Sequence, residues 1–407
     1  MALLENLLEK IISNGRLTLI LPGGGKRSFG PGEGDGLRVR MADRRVALAI
    51  LRNPRLAVGE AYMDGRLEVE NGTILDLLKL VVGSNRWEDG GKGRAKLNKG
   101  KMNPVRALFR RNWRKESRRN VAHHYDLSDE LYETFLDPDM QYSCAYYTDP
   151  SNSLEQAQLD KKAHIAAKLA LKPGQKVLDI GCGWGGMALY LNRVADVDVT
   201  GVTLSEHQLA VARRRAKEAG VEDRVRFELI DYRDVEGPFD RIVSVGMFEH
   251  VGLAHFDEFF AKCRSLLKPD GVMLLHTIGK FGKAGKSSDP FVAKYIFPGG
   301  YLPSLNDITS ASGRQRLITS DIETLRLHYA LTVREWLKRF TAARPKMVRL
   351  YDERFCRMWE FYLSGAIVFF ESGSGCNYQL QYIRERSALP ITRDYMIEEE
   401  RRLRDLG

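Results

Sequence analysis

Three clusters in this chain combine residue types and spacings that could do chemistry. The first is Val177-Leu178-Asp179-Ile180-Gly181-Cys182-Gly183-Trp184-Gly185-Gly186. An apolar run from Lys176 to Ile180 predicts a buried strand. Gly181 and Gly183 permit a tight turn and a close approach of backbone to a ligand. A helix opening near Gly185 offers free amide groups at its start. Asp179, near the strand end, favours a ligand with hydroxyls or positive charge. The pattern is G-x-G-x-G, shorter than the dinucleotide fingerprint G-x-G-x-x-G. Taken alone it is also compatible with a strand-to-helix connection that binds nothing. The second cluster is Glu249-His250 in Gly246–Val251, together with His276 in Leu274–Gly279. Histidine beside a crevice can donate to an anion or move a proton. The third is Asp137–Tyr147, where Tyr142, Tyr146, Tyr147 and Cys144 crowd together. Aromatic faces attract cations and make a suitable pocket wall; core packing is the plain alternative for each tyrosine.

These residues need elements to hold them. Val197–Thr203, Val225–Ile230, Phe239–Val245 and Gly271–His276 read as strands after the first, and Ser205–Ala219 and Phe256–Leu267 as helices between them. This alternation predicts a doubly wound, mostly parallel α/β sheet, with its ligand crevice at the carboxyl ends of the strands. Glu249, His250 and His276 then fall at strand ends beside that crevice. Residues 1–85 read as a small α+β domain. Leu17–Leu21, Lys26–Phe29 and Gly36–Met41 are short strands, and Val46–Leu51, Leu56–Met63 and Ile74–Val82 are helices. Gly23-Gly24-Gly25-Lys26-Arg27-Ser28 has the wrong spacing for a phosphate loop and reads as a hairpin turn. Past the sheet, Glu335–Phe340 and Met347–Phe370 read as helices, Gln379–Arg384 as a last strand and Glu398–Arg404 as a charged helix end.

Composition bounds the rest. The chain has 407 residues, for which two domains are the natural prior, and is 43% hydrophobic, enough for a sizeable core. No window approaches the roughly 18 apolar residues of a membrane span. Residues 1–12 show helical apolar spacing with charges inside the run, which predicts an amphipathic helix rather than a signal peptide. Five cysteines without a C-x-x-C pair suit a reduced, cytosolic protein and argue against a disulfide scaffold or a zinc site. The net charge of +10 resides in residues 86–119, with thirteen Lys/Arg and three acids; the remainder is balanced. The first half of this segment is glycine-rich, as in a flexible linker. The second places Val105, Leu108, Phe109 and Trp113 among arginines, the pattern of a helix lying on an anionic membrane. A solvated linker stays open as an alternative. Nucleic-acid binding is not expected, because no recognised fold for it accompanies the charge. The expected division is a small domain over 1–85, a basic linker over 86–119 and a catalytic domain over 120–407.

Five motifs in fixed order carry a family resemblance: QYSCAY at 141–146, VLDIGCGWGG at 177–186, GVTLSEHQ at 201–208, DRIVSVGMFEHVG at 240–252 and LLHTIG at 274–279. Together they resemble the cyclopropane-fatty-acyl-phospholipid synthases, which are related to the mycolic acid cyclopropane synthases. The match runs from about residue 120 to about 385, and Gly59–Gly65 resembles the small N-terminal domain of longer bacterial members. The resemblance implies a seven-stranded methyltransferase-like sheet and S-adenosylmethionine as methyl donor. The matching cofactor positions are Tyr142, Ser143, Asp179, Gly181, Gly183, Thr203, Leu204, Gln208, Asp231 and Tyr232. Glu206 remains a candidate for the ribose on the residues alone. The resemblance also implies bicarbonate as the base, held by Cys144, Glu249, His276, Ile278 and Tyr329, and no metal. The implied reaction adds a methylene to the cis double bond of unsaturated phospholipid acyl chains. Methylation of the same alkene without ring closure is the alternative. Anionic head groups at the inner face of the cytoplasmic membrane are the expected partner surface, with the enzyme peripheral and cytoplasmic, and a homodimer is expected. Asp289–Leu302 would line the acyl channel.

Overall fold

The computed structural model describes residues 1–84, 86–90, 128–282 and 289–406. The helix-like stripe expected within the basic segment, and the His123–Leu127 stretch, lie outside the described residues. The chain forms two compact units. The first holds a four-stranded sheet of order β2-β1-β3-β4, with β1 Leu17–Ile20, β2 Lys26–Phe29, β3 Leu37–Met41 and β4 Leu67–Val69. The turn between β1 and β2 closes where Leu21 N donates to Gly25 O at 2.8 Å, a hairpin as the glycines predict. Helices Ala2–Ile11, Arg44–Arg52, Pro54–Met63 and Ile74–Gly83 belong to this unit. Sequence pattern does not place two further pieces here: 289–298 and 333–375 join the same unit. Helix Pro54–Met63 packs on both, and Gly59 is the reason it can. A Cβ at Gly59 would stand 2.4 Å from Phe291 Cδ2 and 2.8 Å from Phe361 Cε1. The stretch Met347–Phe370 is two helices, not one. Arg344–Leu350 ends before Tyr351, and Asp352 caps Glu353–Glu371 by accepting from Phe355 N at 2.6 Å. An N-terminal cap of that kind starts a new helix.

The second unit is built on a seven-stranded sheet of order β10-β11-β9-β8-β5-β6-β7. Its strands are β5 Lys176–Ile180, β6 Asp198–Thr203, β7 Val225–Leu229, β8 Phe239–Val245, β9 Leu267–Lys280, β10 Ile318–Leu325 and β11 Gly375–Ile383. β5, β6, β7, β8 and β9 run parallel where they pair, and β10 is antiparallel to β11. The central strands are buried apolar runs, because helices cover both faces of a parallel sheet. Helix Leu154–Leu169 is an exception to amphipathic expectation. Its sequence reads as polar, yet Gln158, Lys161, Lys162, His164 and Lys168 are all buried. No described helix is long and apolar enough to cross a membrane.

Candidate active site

The carboxyl ends of β5, β6 and β8 open on a cleft enclosing about 1210 Å³, its mouth included. All ten residues matched to cofactor positions line it: Tyr142, Ser143, Asp179, Gly181, Gly183, Thr203, Leu204, Gln208, Asp231 and Tyr232. Gly183 has a φ of 54°, in the left-handed region, and a Cβ there would meet no atom within 4 Å. Its backbone therefore faces open cleft. Asp179 is buried at the end of β5, and its Oδ2 has no hydrogen-bond partner among the described residues. Burial pushes its pKa up to about 7. Gln208 sits in the first turn of helix Glu206–Glu218, where Ser205 Oγ caps its amide at 3.2 Å and Thr203 Oγ1 donates to its Oε1 at 3.2 Å. Glu206 is exposed and lies off the lining. After β7, the Asp231 carboxylate is gripped by Arg233 at 2.7 and 2.9 Å, and Tyr232 stands edge-on to Phe259.

The 141–143 segment forms the opposing wall. It rests on helix Leu154–Leu169: the buried Lys161 ammonium donates to Gln141 Oε1 at 2.6 Å and to Ser143 Oγ at 2.9 Å. Gln158 Nε2 adds bonds to the Gln141 and Ser143 carbonyls at 3.1 and 3.0 Å. Of the three clustered tyrosines only Tyr142 lines the cleft. Tyr146 is sandwiched between His164 and His328, with ring centres 4.0 and 5.0 Å away. His250 lines the cleft as a neutral imidazole, because burial pushes its pKa down to about 4.

A second set of polar groups lies on β9 and on the turn that carries His250. β8 and β9 run side by side, and just past the end of β8 Gly246 N donates to the carbonyl of His276, within β9, at 2.9 Å. Glu249, in the short turn Phe248–His250, accepts from Ile278 N through Oε1 at 2.5 Å. Burial pushes the Glu249 carboxyl up to about 7 against that hydrogen bond. Thr277 stands beside it, but its hydroxyl donates to the Ile278 carbonyl at 3.2 Å, and Glu249 Oε2 finds no hydrogen-bond partner among the described residues. Cys144 is fully buried and remains a thiol, its pKa raised by burial. Ala145 N donates to Thr332 Oγ1 at 3.1 Å and Tyr147 N to His328 Nδ1 at 3.0 Å. These bonds fasten the Cys144 segment to the first turn of helix His328–Ala342, which carries the buried Tyr329. His276 is buried with Nδ1 facing Gln379 and Nε2 facing Asn377. Sequence reading passes over both of those side chains, and Lys161 and Lys168 with them.

A family model described as mycolic acid cyclopropane synthetase matches residues 112–380. The chain belongs to this family. It is 42% identical over 316 residues to a cyclopropane-fatty-acyl-phospholipid synthase of Escherichia coli, covering 77% of this chain and 79% of the relative. It is 36% identical over 362 residues to the tuberculostearic acid methyltransferase of Mycobacterium tuberculosis, covering 84% of this chain and 81% of that one. Among solved structures, a mycolic acid cyclopropane synthase complexed with SAH and CTAB superposes with a TM-score of 0.62 at 34% identity, over 65% of this chain and 97% of the other. By family and fold this cyclopropane synthetase relative is an enzyme of the S-adenosylmethionine-dependent methyltransferase class. The cleft fits that cofactor on its own features. Asp179 offers an unpartnered carboxylate oxygen, and Gly183 leaves the backbone bare where a side chain would project into the cleft.

Proposed function

We propose that this enzyme converts the cis double bond of unsaturated phospholipid acyl chains into a cyclopropane ring. The observation that carries the reading is the pairing of a complete cofactor cleft with a dry acid–base cluster at the end of β9. S-adenosylmethionine, when bound, supplies an electrophilic methyl group. Tyr142, Ser143, Gln208 and Asp231-Tyr232 would hold and orient it, with Asp179 serving a hydroxyl or a positive charge. An unactivated alkene is a weak nucleophile, so orientation and exclusion of water carry much of the rate. The acyl chain gains the methyl, leaves a carbocation, and closes to a ring when a proton departs from the new methyl carbon. Tyr142 and Trp184 line the cleft and Tyr132 lies 5.2 Å from Trp184, aromatic faces that tolerate such a cation.

The departing proton needs a base. Glu249 is buried, dry and ionises near neutrality, which suits proton transfer. Bicarbonate is the base that Cys144, Glu249, His276, Ile278 and Tyr329 would serve together. Glu249 Oε2, buried without a partner, can accept the hydrogen of that anion. Ile278 N and His276 would become its donors by exchange, the first releasing Glu249 Oε1 and the second Asn377.

Methylation without ring closure is supported by the 36% identity to the tuberculostearic acid methyltransferase. The two outcomes differ only in the fate of the cation. Expression in a host with unsaturated phospholipids, followed by fatty-acid analysis, separates them. The expected product gains one methylene and loses its double bond; a chain that gains a carbon and keeps an alkene supports the alternative. The phospholipid reading also requires docking on a membrane surface, with the basic segment 86–119 as its anionic-lipid contact.

A further inference from the structure

His276 carries an internal contradiction whose resolution assigns new residues a role. A neutral imidazole has one N–H and one lone pair, and the protonated ring has two N–H groups and no lone pair. Here Nδ1 lies 3.1 Å from Gln379 Nε2 and Nε2 lies 3.0 Å from Asn377 Nδ2. Two amide donors face a ring that can accept at most one. One amide must therefore present its carbonyl oxygen instead, since amide orientation follows the hydrogen-bond network. Lys168 decides which. Its ammonium, with three donors and no acceptor, stands 2.8 Å from Gln379 Oε1. Turning Gln379 would press an NH2 group against that ammonium. Asn377 is held far less: its Oδ1 is buried with no partner among the described residues, and apart from His276 its Nδ2 reaches only the Tyr378 carbonyl, at a long 3.5 Å. Turning Asn377 brings that oxygen to His276 Nε2 and removes the contradiction.

We infer that Lys168 and Gln379 are positioning residues that lock His276 in its Nε2–H tautomer, so that an anion in the site can be bound only through Nε2, in exchange for Asn377. The inference rests on the proposed anion role of His276. The lock is anchored in depth. The buried Lys168 forms an ion pair with the partly exposed Glu323, Glu323 also meets His164 Nε2 at 2.6 Å, and His164 Nδ1 meets Glu400 at 2.8 Å. Paired with Lys168 and His164, the Glu323 carboxyl is held well below the usual range, which keeps it ionised opposite Lys168. Burial, with the positive charges of Lys161 and Lys168, holds His276 neutral. A neutral ring fixed in one tautomer donates at one defined atom, the arrangement by which outer partners orient a working histidine.

The test is NMR of the full-length protein labelled with ring-15N histidine, read beside steady-state kinetics. Wild type should show the His276 proton on Nε2. Gln379→Glu should draw it to Nδ1, because a carboxylate accepts where the amide donated, while Lys168 still satisfies the new charge. Turnover should then fall roughly 10- to 100-fold, the size of effect seen when an outer partner of a metal-bound histidine is lost, with the KM for S-adenosylmethionine unchanged. Lys168→Met, a variant without the new charge, should give both tautomers. A wild-type proton on Nδ1, or a Gln379→Glu variant whose proton stays on Nε2, would overturn the lock; a proton that moves without loss of turnover would overturn the claim that the anion is bound only through Nε2. His276→Gln distinguishes the two layers: unchanged turnover there refutes the anion role, whereas the wild-type spectrum judges the lock whatever the turnover.

Discussion

The cofactor cleft and the Glu249 cluster differ in how they hold their polar groups. The cleft leaves two of them open. Gly183 offers bare backbone, and Asp179 keeps a buried oxygen without a partner. The cluster turns inward. Ile278 N already donates to Glu249, and both ring nitrogens of His276 are engaged. A cleft of the first kind is preorganised for a large ligand, which then displaces little protein–protein bonding. A cluster of the second kind offers a small anion one open acceptor, Glu249 Oε2, and supplies it with donors only by exchanging one hydrogen bond for another. Binding and chemistry should therefore be separable by mutation, since they depend on different groups.

The strongest break should come at the open side. Gly183→Val should abolish S-adenosylmethionine binding, because its side chain would project into the cleft. The left-handed φ of 54° costs roughly 1–2 kcal/mol for a non-glycine residue, which the fold can absorb. Equilibrium binding on a folded variant checks it, and unchanged affinity would remove the cofactor assignment of this loop. At the closed side, Glu249→Gln should lower turnover by roughly 10²- to 10⁴-fold, the usual worth of a positioned acid–base group, while cofactor affinity stays within a few-fold. A turnover close to wild type would end the base reading.

Two smaller effects sharpen the contrast. Neutralising Arg110, Arg111, Arg114 and Lys115 changes no residue named in either region. It should weaken binding to anionic vesicles by about 1 kcal/mol per charge at low salt, with the difference shrinking as salt rises. Activity on detergent-dispersed lipid should suffer less than activity on vesicles. Co-sedimentation across a salt series reads this, and equal binding at low salt would leave the segment as a tether. The smallest effect belongs to Asp179. Burial raises its pKa to about 7, so the free protein holds part of a proton there at neutrality. A ligand that donates to the carboxylate favours the ionised form, lowers that pKa and expels the proton. Cofactor affinity should therefore rise about tenfold per pH unit below pH 7 and level off above it. Calorimetry in buffers of different ionisation heat should detect the released proton, and Asp179→Asn should flatten the profile.

Much of the cleft was legible in the residues because it is local. A strand, a glycine turn and a helix start follow one another within 177–186, and observed β5 and β8 carry the expected bounds. Asp231, Tyr232 and Gln208 each follow a strand that the β-branched and alternating residues of β7 and β6 announce. Less was legible away from these motifs. Helix Leu154–Leu169 is hidden from a sequence reading because it is buried on almost every side, with polar and apolar residues mixed, so no apolar period marks it. β10 alternates poorly, and β4 has only three residues.

The sequence by itself determined the parallel sheet, the place of its crevice and the groups that line it, because strand period, glycine turns and caps act between near neighbours. It determined family membership as well, through motifs in fixed order. Only the tertiary structure decided how those groups are held. It set Lys161 beneath the 141–143 segment, Lys168 against Gln379, and Gln379 and Asn377 against a histidine about a hundred residues away in the chain. It also gathered 289–298 and 333–375 with the N-terminal sheet. The physical reason is the same in each case. A buried polar group must find a partner wherever the fold brings one, and no periodicity along the chain records which distant residue that will be.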